Sequence, residues 1–328
     1  MNVAVKLDPV KPLGEIKGAP EHFQVQEVDG QGRKLFPVFE TKIGKPEESG
    51  FTKFLMTKRD LRHEYALDEV ARQLGVDRSK VTVYGKKDAC AVTVQHLVVQ
   101  GPYDTWFNHE RIWLDQIGPA FGPLYRGGNG GNFFTIFVQT DAVSPPKADK
   151  FMNVFGPQRF GDGRIETGRL LLDGKFEEAA QELLESDMNS RELRDAMRST
   201  GLDAVETMLS PAFEKRRKWK LLQWQSHLWN QLAVDTDAAV LPFWKLDTAP
   251  LYAPYWCPES VDEEIEAEMH QLRRSRQVWI HPQQHQILKV PGGFRHRFGL
   301  QSGAYATQFL DTMYDYTDLS REKFKKEE

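Results

Sequence analysis

Asp88 has the surroundings that a nucleophilic carboxylate needs. It lies in the short connection Gly85–Ala89 between two segments with strand-like patterns. Lys86 and Lys87 precede it, and a nearby cation favours the ionised form that attacks an electrophile. A carboxylate in a tight turn more often accepts hydrogen bonds from backbone amides. The local sequence therefore leaves both a nucleophilic and a purely structural role open.

The glycine-rich loop Gly127–Asn132 is a second candidate for ligand contact. A phosphate-binding loop would end in Gly-Lys-Ser/Thr and lead into a helix, whereas this loop leads into the strand-like segment Phe133–Thr140. A close approach of the backbone to a ligand, with Asn132 supplying an amide donor and acceptor, is the better interpretation. A mobile surface loop is the competing one.

Two further segments combine aromatic and polar residues. Asn153–Gly161 is dense in aromatics, glycine and hydrogen-bonding side chains, which is unusual for a linker. Gln225–Asn230 lies on the most regular helical pattern of the chain, so we expect Trp229 to lie in a core.

The histidines and cysteines do not form a metal-binding pattern. His281 and His285 are four residues apart, but Pro282 interrupts any helix that would present both rings. Cys90 and Cys257 are widely separated and form no Cys-x-x-Cys pair. The sequence also contains no dinucleotide fingerprint, nucleophile elbow or kinase motif set. We expect neither a metal nor a nucleotide cofactor.

The composition is that of a folded protein with about two domains. A chain of 328 residues exceeds what one core usually serves, and 40% hydrophobic residues exclude a disordered chain. The net charge of −4 excludes a uniformly basic nucleic-acid binder. Basic runs at 215–218, 273–276 and 295–297 either meet phosphates or form solvated helix faces. Without a membrane-length apolar run or a secretory leader, we expect a cytoplasmic protein.

The order of the predicted elements indicates two kinds of structure. Strand patterns dominate up to about residue 140, with a helix predicted at 64–74 and capped by Gly75. Beyond Gly161 the pattern becomes helical, and from about Lys289 it returns to strands. The predicted strands are 23–28, 51–56, 80–84, 90–95 and 133–140, and the later helices are 165–187, 190–208, 213–234 and 259–277.

Six segments, taken together and in order, resemble the TruD family of tRNA pseudouridine synthases. The segment 84–95, Tyr-Gly-Lys-Lys-Asp-Ala-Cys-Ala-Val-Thr-Val-Gln, is similar to the family signature Gly-x-Lys-Asp-x-x-Ala-x-Thr-x-Gln. The other similar segments are Phe23–Glu27, Gly131–Ile136, Asn153–Gly161, Gln225–Asn230 and Phe298–Thr307. The resemblance extends from residue 17 to about residue 310.

The resemblance implies an α+β fold. A pseudouridine-synthase catalytic domain with a mixed, mostly antiparallel sheet would be interrupted by a largely helical, family-specific insertion domain. The implied limits are 1–157 for the first part of the catalytic domain and 158–288 for the insertion. Residues 289–328 would complete the catalytic domain and end in a charged tail.

The resemblance also implies a reaction: a tRNA uridine, usually at position 13, is flipped out of its stack and isomerised to pseudouridine. tRNA is the expected partner, no cofactor or metal is needed, and a monomer is expected. Asp88 aligns with the family's nucleophilic aspartate and Lys17 with a basic residue near it. Phe23, Asn132 and Tyr305 align with residues that contact the substrate base. Phe134 aligns with an aromatic residue packed beside them.

Two alternatives come from other functional classes. A catalytically silent RNA-binding protein could share the fold, although binding alone would not require a carboxylate at Asp88 facing an anionic ligand. A nucleotide-binding enzyme that uses the glycine-rich loop is the third hypothesis.

Overall fold

In the computed structural model, the described residues are 11–36, 50–105, 107–109, 111–161, 163–185, 187–269 and 275–320. The chain divides into two compact units, a sheet unit of residues 1–150 with 281–328 and a helical unit of residues 151–280. The helical unit thus interrupts the sheet unit along the chain. The predicted domain limits 1–157, 158–288 and 289–328 place both junctions a few residues later than these two units do. They stay a prediction.

The first part of the sheet unit alternates strands with one helix, and the predicted helix at 64–74 is confirmed. Gly75 ends that helix in a left-handed conformation with φ of 65° and donates its amide to the carbonyls of Ala71 and Arg72. The elements are β1 (Leu13–Ile16), β2 (Phe23–Val28), β3 (Phe51–Arg59), α1 (His63–Leu74), β4 (Val81–Val83), β5 (Val92–Gln100), β6 (Phe107–His109), β7 (Ile112–Pro119) and β8 (Gly131–Gln139).

The helical unit contains shorter helices than predicted. The prediction of one helix over 165–187 is wrong, because Gly174 adopts φ of 70° and separates two helices. Gly201, with φ of 73°, likewise divides the segment 190–208. The elements are β9 (Phe151–Met152), α2 (Glu166–Leu172), α3 (Phe176–Leu184), α4 (Asp187–Thr200), α5 (Ala204–Leu209), α6 (Glu214–Val234), β10 (Val240–Pro242), α7 (Ala249–Tyr252), α8 (Glu263–Met269), β11 (Ser275–Gln277) and β12 (Trp279–Ile280).

The predicted helix at 259–277 is wrong at its C-terminal end. Residues 275–277 form strand β11, which pairs with β10, while the residues between α8 and β11 lie outside the described part. The chain then returns to the sheet unit with β13 (Gln283–Val290), β14 (Gly293–Leu300), α9 (Ala306–Asp311) and β15 (Asp315–Asp318). The charged tail, 321–328, also lies outside the described residues.

Among the described residues, eleven strands form one mixed sheet. Eight of them lie in the order β13-β14-β8-β2-β5-β3-β7-β6, and β1, β4 and β15 join beside this path. The pairs β2–β5 and β1–β15 are parallel, whereas the other pairs are antiparallel. The predicted α+β class and mostly antiparallel sheet are confirmed.

One row of residues crosses five neighbouring strands on the same face of this sheet. Directly opposed residues point to the same face, and the pairings join Lys58, Thr93, Val25, Phe134 and Phe298. Side chains alternate along a strand. Phe23 and Asn132 therefore share that face, because they lie two positions before Val25 and Phe134. The register alone therefore brings two predicted site aromatics and the predicted site amide to one side of the sheet.

The helical unit has its own core, in which α2 crosses α6 closely. Leu171, Leu221, Trp224 and Trp244 are among its fully or almost fully buried side chains. At the crossing, a Cβ added to Gly168 would lie 2.4 Å from the carbonyl oxygen of Lys220.

Of the helices in the described part of the chain, none combines the length and apolar character needed to cross a membrane.

We expect Gly168→Ala to destabilise the helical unit. The new methyl group would meet the backbone of Lys220 and lie 2.7 Å from Cβ of Trp224, neither of which is a flexible side-chain end. Overpacking of this kind costs about 1–3 kcal/mol of the free energy of unfolding, measurable by urea denaturation. Gly30→Ala is the control, because no atom lies within 4 Å of a Cβ at that position. Equal stability of Gly168→Ala and the parent protein would contradict the close crossing.

Candidate active site

The Asp88 loop is held from below by the segment that joins β3 to α1. The amide of Leu61 donates to the carbonyl of Ala89 at 3.0 Å, and the amide of Asp60 donates to that of Ala91 at 3.0 Å. These bonds explain why β5 begins at Val92, later than the predicted residue 90: the preceding residues bond to this connection instead of a ladder. The backbone of the Asp88 loop is thus fixed to this segment.

A fully buried lysine also holds the backbone of the Asp88 loop. The ammonium of Lys58 donates to the backbone carbonyl of Asp88 and, at 3.0 Å, to that of Leu61. Burial lowers the pKa of Lys58 to about 8, although Asp88 opposes the shift. An ammonium with this pKa remains mostly protonated at neutral pH, so it stays a donor to the backbone beneath the carboxylate.

The Asp88 carboxylate itself faces outward and pairs with Lys17. The side chain of Asp88 is 41% exposed, and its Oδ1 lies 3.4 Å from Nζ of Lys17. The same ammonium lies 3.4 Å from Oδ2 of Asp318. Burial alone would lower the pKa of Lys17, but Asp88 and then Asp318 outweigh it, and the pKa is raised. Lys17 therefore remains a cation beside an accessible carboxylate.

The backbone of Lys17 is as constrained as its side chain. Its φ of 59° places it in the left-handed region, which is uncommon for a residue other than glycine. Its ammonium also lies 4.5 Å from the centre of the Phe23 ring, within the range of a cation–π interaction. The predicted residues Phe23 and Asp88 thus each contact the ammonium group of Lys17.

Phe23 and Phe134 form an apolar floor. Their ring centres are 6.2 Å apart at 73°, and Phe134 stacks at 5.5 Å on Phe298. Phe23 is 2% exposed and Phe134 is 6% exposed, so in this conformation they present little surface for stacking.

Asn132 is oriented by a buried ion pair. Nζ of Lys87 lies 2.8 Å from Oδ1 of Asn132 and 2.8 Å from Oε1 of Glu27. The second oxygen of Glu27 accepts the backbone amide of His96 at 2.9 Å. Because an ammonium only donates, it fixes the amide oxygen of Asn132 toward Lys87 and leaves the NH₂ group pointing away.

The lysines that precede Asp88 in sequence do not serve its carboxylate as expected. Lys87 bonds to Glu27 and Asn132, and Lys86 pairs with Glu64 at 2.7 Å. The cation beside the carboxylate is Lys17, as the family resemblance implied. Neighbouring residues in a loop point in different directions, so adjacency along the chain did not predict the partner.

Tyr305 occupies the position just before α9 and is partly exposed. Its place follows from the pairing of Leu300 with Asn132 at the end of β14. Phe309 of α9 packs on Phe298 at 4.8 Å, which ties this helix to the apolar floor. Tyr305 therefore belongs to the same sheet unit as the Lys17–Asp88–Phe23 cluster.

The glycines before Asn132 approach the protein's own backbone. A Cβ at Gly131 would lie 2.4 Å from the carbonyl oxygen of Leu300, and one at Gly130 would lie 2.3 Å from that of Asp29. These glycines thus allow close approach to neighbouring chain segments, and the predicted approach of this backbone to a ligand stays a prediction. The loop needs no phosphate to account for these glycines.

Sequence reasoning missed Lys58, Glu27 and Asp318. A lysine or glutamate in a strand is usually exposed, and nothing local shows that Lys58 and Glu27 are completely buried. Asp318 lies far along the chain from Lys17, and the parallel pairing of β1 with β15 brings the two together. The one available signal was that Lys58 and Glu27 are charged residues within strand-like segments.

The other conspicuous motifs form structure within the helical unit. The side chain of Asn230 accepts from the amide of Phe155 at 2.8 Å and donates to its carbonyl at 2.9 Å. Trp229 is fully buried, as expected. In the basic run 215–218, three residues form ion pairs: Arg216 with Glu192, Arg217 with Glu268, and Lys218 with Glu214.

The described residues contain no group of three or more histidine, cysteine, aspartate or glutamate side chains arranged to hold a metal ion.

Three comparisons relate this chain to known proteins. The family model for tRNA pseudouridine synthase D (TruD) matches residues 9–210. A probable tRNA pseudouridine synthase D of Nanoarchaeum equitans is 33% identical over 138 residues, covering 41% of this chain and 36% of that protein. One of Pyrococcus abyssi is 33% identical over 189 residues, covering 52% of this chain and 42% of that protein. The chain thus spans less than half the length of these curated relatives.

A solved structure is similar over almost the whole chain. The crystal structure of a putative tRNA pseudouridine synthase D from Methanosarcina mazei has a TM-score of 0.56 at 17% identity and covers 95% of each chain. At this identity the likeness shows the fold alone.

We expect Lys87→Met to destabilise the protein strongly. The substitution leaves Glu27, which is 0% exposed, without the ammonium that balances it, and breaking a buried ion pair costs about 3–5 kcal/mol. Urea denaturation measures the loss. The double variant Lys87→Met/Glu27→Gln should recover much of it. Lys86→Met is the matched control, since exposed pairs contribute about 0–1 kcal/mol. A Lys87→Met protein as stable as Lys86→Met would refute the buried pair.

Stability should also fall as the pH drops below 6.5, because three histidines are buried in the neutral form. Burial lowers the pKa of His63 to about 4, of His96 to about 4 and of His296 to about 3. The unfolded chain binds these protons below about 6.5 while the folded chain does not, so folding is penalised as pH falls.

Each histidine should cost up to about 1.4 kcal/mol per pH unit between pH 6.5 and its folded pKa. Urea denaturation at pH 7.0, 6.0 and 5.0 measures the slope, and His63→Gln should make it shallower. The same free energy of unfolding at pH 7 and pH 5 would show that these side chains are not buried as neutral groups.

Proposed function

Because this chain belongs to the TruD family of tRNA pseudouridine synthases, we propose that it isomerises a tRNA uridine, at position 13, to pseudouridine. Asp88 is the proposed nucleophile. The observation that carries this proposal is the contact of an exposed carboxylate with a buried cation, Oδ1 of Asp88 lying 3.4 Å from Nζ of Lys17. The matched relatives extend beyond what this chain covers, so the activity is a proposal for this protein.

The reaction is an isomerisation, and its atoms balance without a co-reactant. The bond between C1′ of the ribose and N1 of uracil breaks, the ring turns, and a bond forms between C1′ and C5. The proton on C5 leaves, and N1 gains one. The carboxylate of Asp88 forms a transient covalent bond to the substrate and leaves again. Both the sugar carbon and a ring carbon are electrophilic enough to accept it.

Lys17 has two tasks in this proposal. Its ammonium pairs with the Asp88 carboxylate and so holds the side chain that attacks, and its second contact, to Asp318, holds the ammonium in place. Since the ammonium also lies over the Phe23 ring, it links the nucleophile to the apolar floor. The uracil ring would approach Asp88 from the exposed side of its carboxylate.

Asn132 would recognise the uracil edge. Its oxygen is occupied by Lys87, so its NH₂ group is the half of the amide left to donate to a uracil carbonyl. Flipping the base out of the RNA costs a few kcal/mol, and stacking on an aromatic ring contributes about 1–3 kcal/mol per base. Tyr305, which is partly exposed, is better suited to such stacking than the buried Phe23 and Phe134.

The proposal includes the expected setting of the enzyme. tRNA is the partner, no nucleotide cofactor takes part, and the protein acts as a monomer in the cytoplasm. Lys215 is the exposed member of the basic run 215–218, so this run offers phosphates less charge than its sequence suggests. A catalytically silent RNA-binding protein would bind the same tRNA and leave its uridines unchanged.

Asp88→Asn should abolish pseudouridine formation and leave tRNA affinity within a few-fold. Asn keeps the size of the side chain and one acceptor oxygen but cannot form the covalent bond, and we expect a loss of about 10³-fold or more in turnover. Unmodified tRNA transcripts are incubated with each protein, and pseudouridine is mapped at nucleotide resolution. Wild-type levels of product from Asp88→Asn would refute the nucleophile. Tight tRNA binding without product from the parent protein would identify the silent binding protein.

A further inference from the structure

The loop between β7 and β8 presents two aromatic rings to solvent. Phe121 and Tyr125 are the most exposed aromatic side chains among the described residues, and Tyr125 is 72% exposed. The next residue, Arg126, is also exposed. An exposed apolar ring beside a cation is a common feature of surfaces that bind single-stranded nucleic acid.

This loop is fixed to the two segments that deliver the candidate site. The amide of Leu124 donates to Oγ1 of Thr82 at 2.9 Å, and the amide of Gly127 donates to the carbonyl of Tyr84 at 2.8 Å. Both acceptors lie directly before the Asp88 loop. At its other end the loop runs through Gly131 into Asn132. The loop is therefore bonded on both sides of Tyr125 to the segment before Asp88, and its C-terminal end leads into Asn132.

The ring of Tyr125 is held in one orientation although most of it is exposed. It meets the Tyr84 ring edge-on, with centres 6.3 Å apart at 89°. A Cβ at Gly128 would lie 2.7 Å from two of its ring atoms, so the ring packs directly over that glycine. A ring that is already fixed loses little conformational entropy when a ligand stacks on it.

We propose that Tyr125 is a stacking platform for a nucleobase of the RNA substrate that neighbours the target uridine. The inference rests on the proposed function, since it assigns a second contact to the same substrate. When the target base is flipped out, its neighbours lose a stacking partner, and an aromatic side chain can replace it. Arg126 is placed to neutralise a phosphate beside that base.

An RNA base suits this surface better than a protein partner does. A stable protein interface buries about 800 Å² on each partner, whereas the exposed apolar part of this loop is confined to two rings separated by Gly122 and Pro123. A single base needs only one open ring face, which Tyr125 provides. The bond of Gly127 to Tyr84 and the continuation of the loop into Asn132 connect that face to the segments that carry Asp88 and Asn132.

Tyr125→Ala should weaken binding of unmodified tRNA transcript by about 5- to 100-fold, and Tyr125→Phe should bind like the parent protein, because stacking needs the ring alone. Tyr65→Ala is the matched control: this tyrosine is 50% exposed on α1 and should be neutral. Binding is measured by titration, pseudouridine yield by mapping, and folding by the thermal midpoint, which should change little.

Gly128→Ala tests the fixed orientation of the ring. The added methyl group would lie 2.7 Å from two ring atoms of Tyr125 and 3.0 Å from Cε1 of Tyr84. By displacing the exposed Tyr125 ring it should weaken tRNA binding in the parent protein, and its effect should be smaller in the Tyr125→Ala background, where only the Tyr84 contact remains. A Gly128→Ala effect of equal size in both backgrounds would overturn the platform.

Failure of the platform and failure of the proposed function give different results. If the parent protein forms pseudouridine and Tyr125→Ala binds and reacts like it, the platform is wrong and the activity stands. If tRNA binding depends on the Tyr125 ring but the parent protein forms no pseudouridine, the platform stands and the activity is wrong. If the parent protein does not bind tRNA, both are wrong.

Discussion

An exposed carboxylate cannot be positioned by burying its own side chain, so the candidate site depends on how the backbone beneath Asp88 is held. Lys58 supplies that support from inside the protein by donating to the carbonyls of Asp88 and Leu61. Burying an ammonium is costly, and the lowered pKa of Lys58 records that cost. An apolar residue of the same length would fill the space but leave the Asp88 carbonyl without this donor.

Three lysines surround Asp88, and each is committed to a different acceptor. Lys17 meets the carboxylate, Lys58 meets the backbone carbonyl, and Lys87 meets Glu27 and Asn132. This division of contacts has a chemical consequence. One lysine pairs with the exposed carboxylate, another fixes the backbone that carries it, and the third orients the amide of Asn132.

Residues that look functional in the sequence also serve as structure. In the helical unit, the buried guanidinium of Arg276 donates to the carbonyl and side-chain oxygens of Asn153, and Asn230 bonds to the backbone of Phe155. These polar networks satisfy buried groups that would otherwise destabilise the fold. In the sheet unit, glycines next to Asn132 let strands approach each other closely. Residues within the segments that resemble family motifs therefore also hold the fold together.

The sequence by itself determined the fold class and the helix that ends at Gly75, and it singled out Asp88 and Lys17 as candidates, because periodic patterns, cap residues and ordered motifs are local signals. It did not determine the helix breaks at Gly174 and Gly201, since an isolated glycine within a helical pattern does not reveal its backbone angle. Only the tertiary structure decided that Lys86 and Lys87 pair with residues other than Asp88, that Lys58 and Glu27 are buried, and that Asp318 lies beside Lys17. Those contacts join residues distant in the chain through strand pairing, and their physical cause is the register of the sheet.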